Sequence, residues 1–111
     1  MSKAIRYNDG KRKWSLVHFE SLEPMVKVLE YGAKKYTIDI HDEDGTVIDS
    51  ISGKDNWKNQ MDLKEILESI QRHLAALLDG QDYDSESGLH HMGHIQCNAM
   101  FYNYHYDKES F

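Results

Sequence analysis

The sequence predicts a mainly α-helical fold: a small bundle interrupted by one inserted β-hairpin at about 37–53. Three observations carry that expectation. Apolar residues recur at three- and four-residue steps in separate long stretches, the rhythm of one helix face. Strand-like runs occur only as a short pair around an Asp-Gly turn. Proline occurs once, at Pro24, so nothing breaks the later helical stretches. With 111 residues the chain has room for one domain, taken as 1–111, with a basic arm at 1–17.

In the arm, Arg6-Tyr7-Asn8-Asp9-Gly10-Lys11 carries a turn signal at Asp9-Gly10, and Trp14-Ser15-Leu16-Val17 reads as a short apolar anchor. Lys3, Arg6, Lys11, Arg12 and Lys13 stand against one acid, Asp9. Such a segment either meets an anionic ligand or is simply solvated.

The first helix starts near Ser21, with Pro24 tolerated in its first turn. Leu22, Met25, Val26, Leu29, Ala33 and Tyr36 form the expected buried face. Glu23, Lys27, Glu30 and Lys34 lie on a polar flank, where solvated ion pairs are the plain reading. The sharper reading makes Glu30 a metal ligand and Lys34 a phosphate contact. Spacing alone favours the plain one.

Residues 37–53 place Thr37-Ile38-Asp39-Ile40 and Thr46-Val47-Ile48 around an acidic Asp-Gly loop. A calcium-binding EF-hand loop would need acids where Ile40 and Ile51 stand, so this is a surface hairpin. The second helix is capped by Asp62, with Glu65 completing a capping box and Gly80 as the stop. Leu63, Ile66, Leu67, Ile70, Leu74, Leu77 and Leu78 form a broad apolar stripe. Arg72 falls on the polar face, four residues after Glu68. His73, at the edge of the stripe, reads as a hydrogen-bonded core histidine.

From Ser87 to Tyr106 there is no Asp, Glu, Lys or Arg. A third helix of that composition is expected to be buried on most sides, between helices or between subunits. Met92, Ile95, Ala99 and Tyr102 make one apolar line; Ser87, His91, His94 and Asn98 make a polar one. Burying such a line is costly unless it is satisfied by a hydrogen-bond network or by a ligand, and both readings stay open. His91 and His94 can share a metal ion, with Asp84 or Glu86 supplying oxygen ligands. His90 and His94 have the spacing of zinc proteases, but the required glutamate is His91 here.

The charge balance, thirteen Lys+Arg against nineteen Asp+Glu, gives −6 and argues against binding polymeric nucleic acid. No apolar run is long enough for a membrane span, and the first residues lack the stretch of a signal peptide. Cys97 is alone, so no intrachain disulfide forms, and a reducing cytoplasm is expected.

Several blocks in order carry a family resemblance: Arg6 to Lys11, Leu29-Glu30-Tyr31-Gly32-Ala33-Lys34-Lys35-Tyr36, Asn56-Trp57, Arg72-His73-Leu74, Gly80, Asp84, Glu86-Ser87-Gly88-Leu89, His91, His94 and Asn98. Together they resemble the phage and bacterial dATP/dGTP diphosphohydrolases, relatives of the MazG-like all-α nucleotide pyrophosphohydrolases. The hairpin at 37–53 is longer than the link expected between the Lys-Tyr and Asn-Trp blocks. The resemblance implies metal-dependent hydrolysis of a purine deoxynucleoside triphosphate to monophosphate and pyrophosphate, in the host cytoplasm where the gene is a phage's. It implies a homodimer or homotetramer, which agrees with a charge-free helix in need of cover.

On this resemblance Glu30, Lys34, His91 and His94 are the catalytic candidates, and Glu30, Asp84, Glu86, His91 and His94 the metal ligands. Arg6, Lys11, Lys34, Lys35, Asn56, Trp57, Arg72 and Asn98 are the substrate contacts. MazG-like enzymes hold magnesium with paired carboxylates; histidines here widen the choice from magnesium or manganese to cobalt or zinc. The alternatives are a nucleotide-binding sponge or sensor without turnover, and a structural oligomer glued by the polar line.

Overall fold

The protein is described by a computed structural model covering residues 2–7 and 9–109, so Asn8 of the first motif lies outside the described residues. The fold is mainly helical. Helix α1 spans Glu23–Lys35, α2 Leu63–Leu78 and α3 His91–Glu109. Strands β1 (Ile38–His41) and β2 (Val47–Ile51) form one antiparallel hairpin between α1 and α2. Short 3-10 turns occupy Trp14–Leu16, Phe19–Leu22 and Asn56–Lys58.

Helix α3 is central and packs against both α1 and α2. Its approach to α1 is set by Gly93, where an added Cβ would stand 2.5 Å from the Pro24 carbonyl oxygen. Only a glycine lets the two backbones come so close. Gln96 Nε2 donates to the Ser21 carbonyl at 3.2 Å beside this contact. Val28 is the buried apolar residue of α1, whereas Val26 and Tyr36 of the expected face are 42 % and 49 % exposed. The inward face is therefore rotated toward Val28, because α3 approaches from the Pro24 side.

The α2 boundaries follow their capping chemistry. Asp62 Oδ1 accepts the Lys64 N–H at 2.9 Å, one residue earlier than a capping box with Glu65 would place the bond. At the other end Gln81 N–H donates to Ala76 and Gly80 N–H to Leu77, a Schellman stop with Gly80 at φ +83°. Helix α3 starts at His91, not at Ser87. Gly88 has φ +72°, which no right-handed helix accommodates, so Ser87 belongs to the preceding loop.

The hairpin pairs Ile38 with Ile51 and Asp39 with Ser50, with an irregularity between Ile40 and His41. Asp42 Oδ1 accepts the N–H groups of Asp44 and Thr46, so the carboxylate organises the turn. All residues of both strands are exposed.

Two expectations of burial are not met within this chain alone. The arm residues Trp14 and Leu16 are 70 % and 82 % exposed, so they anchor nothing within this chain. Helix α3 buries His91, Gly93, Cys97 and His105, but Met92, Ala99 and Tyr106 face outward. One layer of three helices has an inner face and an outer face, and only the inner one is covered. The radius of gyration, 19.1 Å, records the same openness; a compact domain of about 100 residues has about 13 Å.

Candidate active site

The inner face of the three helices and the segment 53–61 enclose an open cavity of about 700 Å³. Its wall is built from Val28, Tyr31, Gly32 and Lys35 of α1, Ser69, Arg72 and His73 of α2, and His91, His94, Cys97, Asn98 and Phe101 of α3. Asp84 and Glu86 enter from the loop before α3, and Lys54, Asn56 and Trp57 from the segment after the hairpin.

The centre of the chemistry is a cluster of histidines around Asp84. His73 Nδ1 and His91 Nδ1 lie 2.7 Å apart. With an Asp84 carboxylate oxygen they form a set of donor atoms all within 4.8 Å of one another. His94 stacks on His73 with ring centroids 4.5 Å apart and planes 3° from parallel. Burial, then the neighbouring His94 and His91, pushes His73 down, so its ring is neutral at pH 7 and keeps a lone pair. Burial likewise lowers His94, against the pull of Asp84.

Asp84 is held by its own loop. Burial alone raises its carboxyl, but the Ser87 N–H and hydroxyl outweigh this, with His94 and His73 adding to the effect. The net shift is downward, and the group stays a carboxylate. Ser87 has one hydroxyl proton and many demands on it. Its Oγ lies 2.9 Å from Asp84 Oδ2, 2.7 Å from His94 Nε2 and 3.2 Å from Leu89 N. The carboxylate can only accept, so the hydroxyl donates there and receives from His94 Nε2–H. That commits the His94 Nε2 position to Ser87.

The cations and rings of the cavity surround this cluster. Lys35 Nζ pairs with Glu86 Oε1 at 2.6 Å, a hydrogen bond that raises the lysine. Trp57 stacks on Phe101 with centroids 4.9 Å apart. Asn98 Nδ2 donates to His94 O and Ser69 Oγ, which fixes the amide between α2 and α3. Cys97 is buried, and burial pushes its thiol up to about 12, so it is no nucleophile at neutral pH.

The expected site residues divide clearly by position. The structure brings together Lys35, Asn56, Trp57, Arg72, Asp84, Glu86, His91, His94 and Asn98. Glu30 and Lys34 are exposed and outside the cavity wall, on the polar flank of α1. Arg6 and Lys11 are exposed on the arm, also outside it. Glu86 is engaged by Lys35, away from the donor set formed by His73, Asp84 and His91. His73 is the main residue that sequence reasoning missed. A signal existed: Ser69, Arg72 and His73 form a polar line on α2, opposite the one on α3.

The sequence model described as "dATP/dGTP diphosphohydrolase, N-terminal" matches residues 1–110. The chain belongs to that family. A curated relative, a dATP/dGTP diphosphohydrolase of Salmonella phage PMBT28, is 29 % identical over 97 residues, covering 87 % of this chain. The matched region is 28 % of that relative's length. No solved structure matches the chain. The region matched by the family model includes every residue of the cavity wall. No helix among the described residues is long and apolar enough to cross a membrane.

Proposed function

We propose that the chain binds a purine deoxynucleoside triphosphate in this cavity and, with a divalent metal, adds water across the α–β phosphate bond to release monophosphate and pyrophosphate. The cluster of His73, Asp84 and His91 within a cavity that also offers Lys54 and Arg72 carries this reading. The donor chemistry fits a metal: one ionised carboxylate beside a neutral imidazole and a second ring nitrogen 2.7 Å away. Two nitrogen donors and one oxygen suit manganese, cobalt or zinc better than magnesium. When bound, such an ion supplies charge neutralisation at the phosphates and activation of water.

The chain's own residues do the rest of the binding work. Arg72 and Lys54 offer positive charge to the phosphates. Trp57 stacked on Phe101 provides a flat apolar wall for a purine. The Glu86–Lys35 pair steadies the Asp84 loop against α1. The single cluster carboxylate differs from the paired carboxylates of MazG-like enzymes, so kinship to that fold is carried here by the resemblance alone. A second copy covers exposed apolar side chains of α2 and α3 in this reading: Leu67, Leu74 and Met92 are 45 %, 45 % and 41 % exposed. The outer side of α3 carries no charge before Asp107, so such a contact would oppose no like-charged side chains of that stretch.

One observation favours the alternative of binding without turnover. Among the described residues the cavity wall holds two carboxylates; Asp84 accepts from Ser87, and Glu86 is paired with Lys35. Incubation with dATP or dGTP and manganese, cobalt, zinc or magnesium decides between the two. Monophosphate and pyrophosphate in equal amounts support hydrolysis, and tight binding with no product supports a sponge.

A further inference from the structure

Among the described residues two polar side chains are buried, His91 at 6 % and His105 at 5 % exposure. His91 belongs to the donor cluster. His105 lies about four turns farther along α3 and is not part of the cavity wall. A buried imidazole is costly without a partner, and its Nε2 has one: the Trp57 carbonyl oxygen, 2.6 Å away. A carbonyl only accepts, so His105 holds its proton on Nε2 and donates.

The partner is telling. Trp57 sits in the 3-10 turn Asn56–Lys58, where the N–H groups of Asn56 and Lys58 bond to the carbonyls of Gly53 and Asp55, and the following Asn59 N–H bonds to Asn56. The Trp57 carbonyl is one that a short turn leaves at its end, and α3 supplies the donor instead. One turn back on the same helix face, Phe101 stacks on the Trp57 ring at 18° between planes. Tyr104 meets that ring edge-on with centroids 5.0 Å apart. Helix α3 therefore grips both the main chain and the ring of one residue. The other end of the segment is tied at Gly53, whose N–H donates to Thr37 Oγ1 at 3.1 Å.

We infer that His105 is a positioning residue: through the Trp57 carbonyl it locks the segment between Gly53 and α2 so that Asn56 and Trp57 stand as a cavity wall. The use of that wall for a purine rests on the function proposed above; the lock itself does not. The expected kinetic signature is a binding defect. Phosphates and metal are held elsewhere in the cavity, so a loosened Trp57 weakens capture of the base more than the chemical step.

The test uses Trp14→Phe as background, leaving Trp57 as the one tryptophan. In that chain His105→Leu fills the space without a donor, and His105→Gln restores an amide N–H of similar reach. His105→Leu is expected to raise acrylamide quenching of Trp57 by about twofold or more, while His105→Gln stays near the parent. In the hydrolysis assay His105→Leu raises KM for dATP by roughly tenfold with kcat within about threefold, and His105→Gln recovers most of it. Unchanged quenching in His105→Leu overturns the lock, as does a glutamine variant no better than leucine. A parent with no hydrolysis overturns the proposed function only, since quenching still decides the role of His105.

Discussion

Replacing Ser87 by alanine tests whether the histidine cluster is a built metal site or only a packing arrangement. The Ser87 hydroxyl donates to Asp84 Oδ2, receives from His94 Nε2–H and receives from Leu89 N–H. The backbone bond from Ser87 N to Asp84 Oδ2, 2.8 Å, survives the change. A hydrogen bond contributes about 0.5–1.5 kcal/mol net, and one to a charged group about 1.5–3. Solvent reaches this part-buried loop and replaces some of the loss, so about 2 kcal/mol is expected overall. For a chain of this size that lowers Tm by roughly 8–12 °C, readable by thermal melts in excess chelator. The functional consequence is separate. Partners that orient a metal ligand typically carry about 10–100-fold in affinity, so titration calorimetry with manganese or zinc should show a loss in that range. A Tm drop with manganese and zinc affinity unchanged within about twofold would refute the metal-site reasoning.

Other outcomes follow from the same geometry. Gly93→Ala places a Cβ 2.5 Å from the Pro24 carbonyl and should cost about 2 kcal/mol or more, with urea unfolding as the check. Folding lowers His73 and His94, so the unfolded chain binds more protons below about pH 6.5. Stability of the metal-free protein is accordingly full above that pH and declines as pH falls through it. Asp84, also lowered, adds a further loss only on stronger acidification, below its ordinary range. A urea midpoint that does not move between pH 7.5 and 5.5 would contradict this, and His73→Gln with His94→Gln should flatten the curve. Arg72→Ala is expected to raise KM for the triphosphate by roughly tenfold or more, whereas Glu30→Gln, outside the cavity wall, leaves turnover within about twofold. Equal losses in the two variants would place the phosphates elsewhere.

What could be read from the chain was local chemistry. Asp62 and Gly80 bound α2 because capping depends on neighbours a few residues away. The Asp42–Thr46 turn is likewise a local affair, written in Asp42 and Gly45. The rotation of α1 was not legible, because α3 meets α1 where Gly93 faces Pro24, some sixty-nine positions apart in sequence (24 to 93), and Val28 lies one turn on from that contact. His73 illustrates the same limit at the site. On α2 alone it is a histidine beside a leucine stripe; its meaning comes from His91 and Asp84, which reach it through a separate loop and helix. The exposed Trp14 and Leu16 fail for the opposite reason: apolar residues predict burial, but not in which molecule.

Net charge misleads about this cavity in an instructive way. The chain carries −6, with nineteen acids and thirteen Lys+Arg, which by itself disfavours a polyanionic ligand. The cavity wall inverts the proportion. Of the described acids only Asp84 and Glu86 line it, against Lys35, Lys54 and Arg72 among the cations. Glu86 and Lys35 neutralise each other at 2.6 Å, and a divalent ion on Asp84 would turn the remaining carboxylate site positive. Field strength falls with distance and with salt over about 8–10 Å, so surface acids beyond that range matter little to a ligand enclosed by these walls. On the proposed function, local sign would govern capture of a triphosphate and global sign would disfavour long phosphate polymers. The two readings separate on ionic strength: triphosphate binding inside the cavity should weaken modestly with added salt, and a steep loss would mean that the exposed arm cations hold the ligand instead.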